Sequence, residues 1–235
     1  MELEAWLSNR DKICAAVLLK PPGFAKSRLS HLDGPVRERL ALAMAEDILE
    51  EACSCEIFDA VWLVGSDPVH MLMAERNGAV PIAEGSPKGL NGAAALALET
   101  ARLANIRWCV LLPGDIPLAD SKTLQNSVQL LIGAMERAGQ SIGLVPCRRD
   151  EGTNLMICDT AIRPIFSYGP GSFQRHVALS EGAQILRDSR LGLDIDEMAD
   201  LVELSRRVAM MGSPPVKTAA VLCDALRKQE CGHDA

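Results

Sequence analysis

Aromatic side chains are scarce in this chain: one Tyr, four Phe and three Trp make up 3% of 235 residues. So few rings argue against the stacking platform that single-stranded nucleic acids need. Positive charge is short as well. With 24 Lys and Arg against 31 Asp and Glu, the net charge is −7 and the isoelectric point near 5.2. No broad basic face is available for a phosphate backbone, so a nucleic-acid partner is excluded. Any nucleotide bound should be a small one, held by a local cluster of cations. No apolar segment approaches the ~20 residues of a membrane span. Met1 to Lys12 is charged and has no apolar signal core, so a soluble, cytoplasmic protein with no membrane partner is expected. The eight cysteines, Cys14, Cys53, Cys55, Cys109, Cys147, Cys158, Cys223 and Cys231, lack the spacing of a zinc array. Only Cys53 and Cys55 are close, and no Cys-x-x-Cys or His-rich partner stands beside them. Several lie inside apolar runs, where a thiol behaves as a small hydrophobe, and the set fits a reducing compartment.

What is present is aliphatic. Apolar residues make up 48% of the chain, enough for a substantial core. Short apolar runs over 13–19, 59–65, 79–82, 108–112, 141–146 and 154–157 predict strands. Helical periodicity predicts helices over 35–51, 68–76, 91–103, 121–138, 172–180, 196–210 and 216–227, with a short helical turn over 26–32. Residues 184–186 and 191–193 read as edge strands, and 147–152 as an exposed polar turn. Strand and helix alternate through the first half, which implies parallel strands with crossover helices. One unit over residues 1–235 is expected, the second half folded onto the first. The last helix docks either on its own chain or on a second copy, so a homodimer is open.

The chemistry concentrates at loop positions. The run ending at Leu112 stops at Pro113-Gly114, and Asp115 stands behind the break. In open α/β sheets ligands gather outside the carboxyl ends of strands, so Asp115 is a candidate cation ligand; the plainer alternative is a cap on a turn or on the next helix. Lys20, Lys26 and Arg28 flank Gly23 at another strand end, a pattern that suits a polyphosphate or an ordinary basic turn. Asp194 and Asp196 are two residues apart, so extended backbone would put both on one face. Such a pair suits Mg²⁺, although Asp196 would also serve as a helix cap. Thr153 follows Gly152, and Ser172 follows Gly169-Pro-Gly171; each supplies a hydroxyl, and the glycines expose backbone donors. Arg175 and His176 stand nearby, His176 more plainly as a structural residue. Gly89-Leu90-Asn91 is a fifth candidate, with Asn91 either an N-cap or a reader of a base or ribose edge. His70 and Met71 to Met73 read as helix packing.

Taken in order, Leu18-Leu19-Lys20 with Ala25-Lys-Ser-Arg-Leu29, Gly89-Leu-Asn91, Gly114-Asp-Ile-Pro-Leu118, Gly152-Thr-Asn154, Tyr168-Gly-Pro-Gly-Ser-Phe173 with His176, and Leu193-Asp-Ile-Asp196 resemble the 2-phospho-L-lactate guanylyltransferases of coenzyme F-420 synthesis. The resemblance covers residues 13–203. It implies an α/β, Rossmann-like three-layer nucleotidyltransferase of glycosyltransferase-A-like fold, with a mostly parallel mixed sheet. It implies transfer of GMP from GTP to the phosphate of 2-phospho-L-lactate, phosphoenolpyruvate or 3-phosphoglycerate, with release of pyrophosphate. By that resemblance Asp115, Asp194 and Asp196 hold one or two Mg²⁺ ions, and Lys20, Lys26 and Asp115 form the catalytic set. Lys26, Arg28, Gly89 and Asn91 would meet the nucleotide, and Lys20, Thr153, Gly169 and Ser172 the acceptor. Attack of one phosphate on another brings anions together, so cations and positioning carry such a reaction and no protein nucleophile is needed. The chain departs from the family where Thr-Pro-Glu-Asp is usual after the second acid: Glu197-Met-Ala-Asp200 stands there, which bears on how the next helix begins. A molybdenum-cofactor-type or sugar nucleotidyltransferase is the alternative within the fold, less the Gly-x-Gly-x-Arg loop usual there. A non-catalytic nucleotide-binding regulator is the alternative of another class.

Overall fold

Every residue of the first strand, β1 (Ile13–Leu18), is buried, as a strand covered on both faces must be. Its side chains alternate between two cores: Ile13, Ala15 and Val17 join one, Cys14, Ala16 and Leu18 the other. The computed structural model describes residues 11–20, 29, 32–86 and 88–231, with side chains through 223. The helical turn expected over 26–32 falls almost wholly outside the described residues.

After β1 come α1 (Gly34–Cys53), β2 (Ala60–Gly65), α2 (Pro68–Arg76), β3 (Val80–Ala83), α3 (Gly89–Leu103) and β4 (Trp108–Pro113). The second half adds α4 (Ser121–Ala138), β5 (Ile142–Pro146), β6 (Thr153–Asp159), α5 (Ser172–Leu179), β7 (Gln184–Ile185), α6 (Met198–Val208) and α7 (Val216–Cys231). The strands form one sheet in the order β3-β2-β1-β4-β6-β5-β7. Strand β6 runs antiparallel to both of its neighbours, and the other pairings are parallel. Helices α1, α2 and α4 cover one face. Helix α3, with Phe173 from α5, covers the other. This is the three-layer α/β arrangement with a mostly parallel mixed sheet that the alternation and the resemblance imply.

The helices form where periodicity and caps agree. In α4, Leu124, Val128, Leu131, Ile132 and Met135 are buried on one face. Asp120 accepts from the Thr123 N–H at 2.7 Å at its start, and Gly139 closes it at φ +63, the left-handed position glycine takes without strain. Helix α3 meets the sheet through Ala93, Ala94, Ala97 and Ala101, small side chains that permit close approach.

A third cluster joins the two halves of the chain. Val36, Leu40 and Met44 of α1 pack with Leu118, Leu193, Ile195, Leu201, Leu204 and Leu222. The first turn of α7 is held by Asp47, whose carboxylate accepts from the N–H groups of Lys217 at 3.1 Å and Thr218 at 2.7 Å. The last helix therefore docks on α1 of its own chain.

Two expected elements differ. Residues 191–193 form no strand; they lie in a turn leading into extended chain. Their backbone meets loops instead of a ladder, with the Arg148 N–H donating to the Gly192 carbonyl at 2.7 Å. The following helix starts at Met198, later than the expected 196. A Cβ at Gly192 would stand 2.7 Å from the backbone oxygen of Asp188, an atom with little room to retreat. Gly192→Ala is therefore expected to destabilise the fold by about 1–3 kcal/mol, measured as a lower urea midpoint with an unchanged slope; an unshifted midpoint would refute the close packing of this turn.

Candidate active site

The carboxyl ends of β1, β4 and β5 emerge at one edge of the sheet. Because β6 runs the other way, its first residue, Thr153, opens at that same edge. Lys20 stands just beyond β1, Asp115 follows the Pro113-Gly114 break after β4, and residues 147–152 turn from β5 into β6. The register shifts between Val145 and Pro146, so that Val145 faces Leu155 and Pro146 faces Thr153. Such a bulge re-aims the strand end. Asn154, left without a partner in the register, donates from Nδ2 to the Leu191 carbonyl at 2.9 Å.

The acids are brought together by backbone. The Ile195 N–H donates to the Asp115 carbonyl at 3.1 Å, which laces the strand-end acid to the 194–196 segment. Leu193 and Ile195 are buried in the third cluster, and Asp194 and Asp196 face the cleft. Alternation thus works here without a ladder. Neither Asp115 nor Asp196 is the N-cap of the helix that follows it. The cap of α4 is Asp120, and the N-cap of α6 is Glu197.

The cleft has two lobes, of about 360 and about 260 Å³, that share Lys20, Leu90, Pro113 and Asp115. The larger is walled by α1, including Arg37, Glu38 and Ala41, and by His70 of α2. The smaller gathers Asp115, Asp194, Asp196, Lys20, Thr153, Gly169 and Ser172. These seven were all singled out on sequence. Gly89 and Asn91 stand apart from the two linings. Gly89 takes φ +68 at the start of α3, and the Asn91 Oδ1 accepts from the Tyr168 N–H at 2.6 Å, tying α3 to the glycine loop; Lys88 is the N-cap. Lys26 and Arg28 lie outside the described residues.

Two residues that sequence reasoning passed over are Arg149 and Asp200. Arg149 lines the smaller lobe and donates to both oxygens of Asp200, at 2.8 and 3.3 Å. Arg148 adds a bond at 2.6 Å, so the turn expected to be exposed is anchored, and Cys147 within it is buried. Asp200 is 0% exposed, and its Oδ2 also accepts the N–H groups of Asp196 at 3.0 Å and Glu197 at 2.8 Å. Burial alone would raise its pKa, but Arg149 and the two backbone donors outweigh that and hold it below the usual carboxylate range. The hydrogen bonds that Arg149 donates to Asp200 likewise raise the Arg149 pKa. One carboxylate thus holds both Arg149 and the backbone at Asp196. The signal was present as a charged pair between two apolar runs and an acid three residues after Glu197, but nothing local joins them.

In the same lobe, Thr153 and Ser172 are coupled. The Thr153 N–H donates to the Ser172 Oγ at 3.0 Å, and the Thr153 Oγ1 lies 2.9 Å from Nδ1 of His176. Burial, then the charge of Arg175, lowers the His176 pKa to about 4, so the ring is neutral in the ordinary range. Arg175 donates to the Ser167 hydroxyl and carbonyl at 2.7 and 2.8 Å, holding the glycine loop against α5.

Among the described residues, no three His, Cys, Asp or Glu side chains close on one point as a metal cage. The oxygen-only set of Asp115, Asp194 and Asp196 still suits a hard cation, since Mg²⁺ takes one or two carboxylates and completes its shell with water and substrate phosphates. Among the described residues no helix is long and apolar enough to cross a membrane.

No protein-family model matches the chain. Over 210 residues it is 31% identical to the phosphoenolpyruvate guanylyltransferase of Conexibacter woesei, spanning 86% of this chain and 92% of that protein. The phosphoenolpyruvate guanylyltransferase of Sphaerobacter thermophilus is 32% identical over 198 residues, with 81% and 91% covered. Among solved structures, a chain described as a nucleotide-diphospho-sugar transferase from Desulfovibrio desulfuricans superposes with a TM-score of 0.69 at 19% identity, covering 94% of this chain and 98% of that one. A cytidylyltransferase from Leptospira borgpetersenii superposes at 0.55 and 18% identity, with 94% of each chain covered. At these identities the structures establish the fold alone, the glycosyltransferase-A-like one of nucleotidyltransferases.

Proposed function

The chain belongs to the phosphoenolpyruvate guanylyltransferase family, and we propose that it transfers GMP from GTP to the phosphate of a three-carbon phospho-acid, in coenzyme F-420 synthesis. An oxygen of the acceptor phosphate bonds to the α-phosphorus of GTP. The bond from that phosphorus to the bridging oxygen breaks, and pyrophosphate leaves with the electron pair. The observation that carries this reading is the gathering of Lys20, Arg149, the acids Asp115, Glu151, Asp194 and Asp196, and the hydroxyl residues Thr153 and Ser172 around one lobe of the cleft.

Roles follow from charge. Lys20 stands where the two lobes meet and would neutralise phosphates of both reactants. Asp115, Asp194 and Asp196 would hold Mg²⁺, one ion or two. When bound, that ion supplies positive charge to phosphate oxygens at the reacting centre. Thr153, Ser172 and the backbone at Gly169 would orient the acceptor, so that its phosphate faces the nucleotide and effective concentration does much of the work. Lys26 and Arg28 would meet the triphosphate. A cytoplasmic place of action belongs to the same reading.

The test is a parallel assay. The protein is incubated with GTP and Mg²⁺ and, separately, phosphoenolpyruvate, 2-phospho-L-lactate and 3-phosphoglycerate, and pyrophosphate release is followed. Phosphoenolpyruvate is expected to turn over, as the names of the relatives suggest, and CTP in place of GTP is expected to be poor. No release with any of the three acids would refute the proposed reaction.

A further inference from the structure

His176 is 1% exposed, and both of its ring nitrogens are committed. Nε2 lies 2.9 Å from the backbone N–H of Ser167. A backbone N–H can only donate, so Nε2 presents a lone pair, and a neutral ring then carries its proton on Nδ1. That proton points at the Thr153 Oγ1, 2.9 Å away. With one lone pair of the hydroxyl occupied, Thr153 keeps its own proton to give elsewhere, and Thr153 lines the acid-bearing lobe of the cleft. Ser172 is polarised in the same sense, because its Oγ already accepts the Thr153 N–H at 3.0 Å. The two hydroxyl oxygens are 3.5 Å apart, at the outer limit of a useful hydrogen bond, so neither satisfies the other well.

We propose that His176 is a positioning residue that fixes Thr153 as a hydrogen-bond donor and so makes the Thr153–Ser172 pair selective for an acceptor-only group, the ionised carboxylate of the phospho-acid. The inference rests on the reaction proposed above and adds to it the reason for an acid rather than an amide or alcohol. A carboxylate offers only lone pairs to the two hydroxyl protons. A carboxamide in the same place would turn an N–H toward a donor and leave both groups short of a partner, the kind of mismatch that sites reject strongly. The ring holds its tautomer through the neutral range because burial and the nearby Arg175 oppose protonation. Thr153, Ser167 and Tyr168, the last with its ring edge-on at 4.9 Å, bring no charge of their own. Packing alone would not need this arrangement: any flat ring would fill the space, but one with an acceptor toward Ser167 and a donor toward Thr153 sets a direction.

The experiment compares wild type, His176→Asn and His176→Gln, with acceptor and GTP varied separately, and records the ¹⁵N shifts of the wild-type ring without substrate. Asparagine keeps a donor near the Nδ1 position; glutamine reaches the Nε2 position and keeps only the partner for Ser167. Expected are an Nδ1–H tautomer and an acceptor KM in the asparagine variant within about 5-fold of wild type. In the glutamine variant the acceptor KM should rise roughly 10- to 100-fold, the worth of a hydrogen bond to a charged group, with the KM for GTP unchanged. Preference for the phospho-acid over its carboxamide should shrink in the glutamine variant. An Nε2–H tautomer, equal losses in both variants, or a GTP KM that moves with the acceptor KM would overturn the proposal. If wild type turns over no phospho-acid, the proposed reaction fails, and the tautomer still decides the polarity.

Discussion

Asp200→Ala is expected to lower stability at neutral pH by about 3–5 kcal/mol, the usual cost of removing one partner from a buried ion pair. The side chain is fully buried and accepts from Arg148, Arg149 and the N–H groups of Asp196 and Glu197. Truncation leaves two guanidinium groups facing each other across a void and two backbone donors without an acceptor. For a chain of this length that is a fall in Tm of roughly 10 °C. The loss should depend on pH in a definite direction. The folded-state pKa of Asp200 lies below its ordinary value, so the unfolded chain takes up the proton first as pH falls. The stabilisation is therefore whole above the ordinary carboxylate range and fades as pH drops through the folded-state value; wild type and variant should converge in acid. Activity per folded molecule should also fall, by on the order of 10²-fold, because the segment carrying Asp194 and Asp196 loses its anchor and small misplacements are costly. A Tm within 2 °C of wild type would show that Asp200 does not tie the 147–152 turn to the 194–197 segment, about 2 °C being what less than 1 kcal/mol would produce.

Asp200 also marks where reading the chain as a string stops. Positions of strands and helices were legible because burial on two faces makes apolar runs and burial on one makes periodic ones. Helices α2 and α4 begin and end where proline, aspartate and apolar spacing place them. Which strand reverses was not legible, since a strand buried on both faces reads alike in either direction, yet that reversal in β6 is what carries Thr153 to the cleft. The alternation over 191–196 correctly put Asp194 and Asp196 on one side and Ile195 on the other. It suggested a ladder that does not exist, because the backbone partners are loops at Arg148 and Asp115. Arg148 and Arg149 looked like a solvated turn for the same reason: their partner is some fifty residues away in sequence. Residue type located the acids and hydroxyls; what orients them is long-range and polar.

Asp115→Asn is expected to leave the fold intact and to lower turnover by at least about 10²-fold, the scale seen when a group that stabilises developing charge is removed. Asp115 lies at the shared edge of both lobes of the cleft, and its carbonyl, which asparagine retains, accepts from Ile195. The change therefore removes charge while keeping shape and backbone. If its carboxylate helps to hold Mg²⁺, the concentration of Mg²⁺ needed for half-maximal rate should rise in the same variant, since an amide oxygen is a weaker ligand for a hard cation than a carboxylate. Asp120 supplies the contrast. It lies five residues on, caps α4 by accepting the Thr123 N–H and forms an ion pair with Arg190. Asp120→Ala should cost about 1 kcal/mol of stability through the lost cap and little in turnover. Two acids in one loop are thus assigned opposite duties. A turnover for Asp115→Asn within about 3-fold of wild type, against the scale above, would remove the strand-end acid from the reaction. A fall in Tm as large as that of Asp120→Ala would recast it as structural.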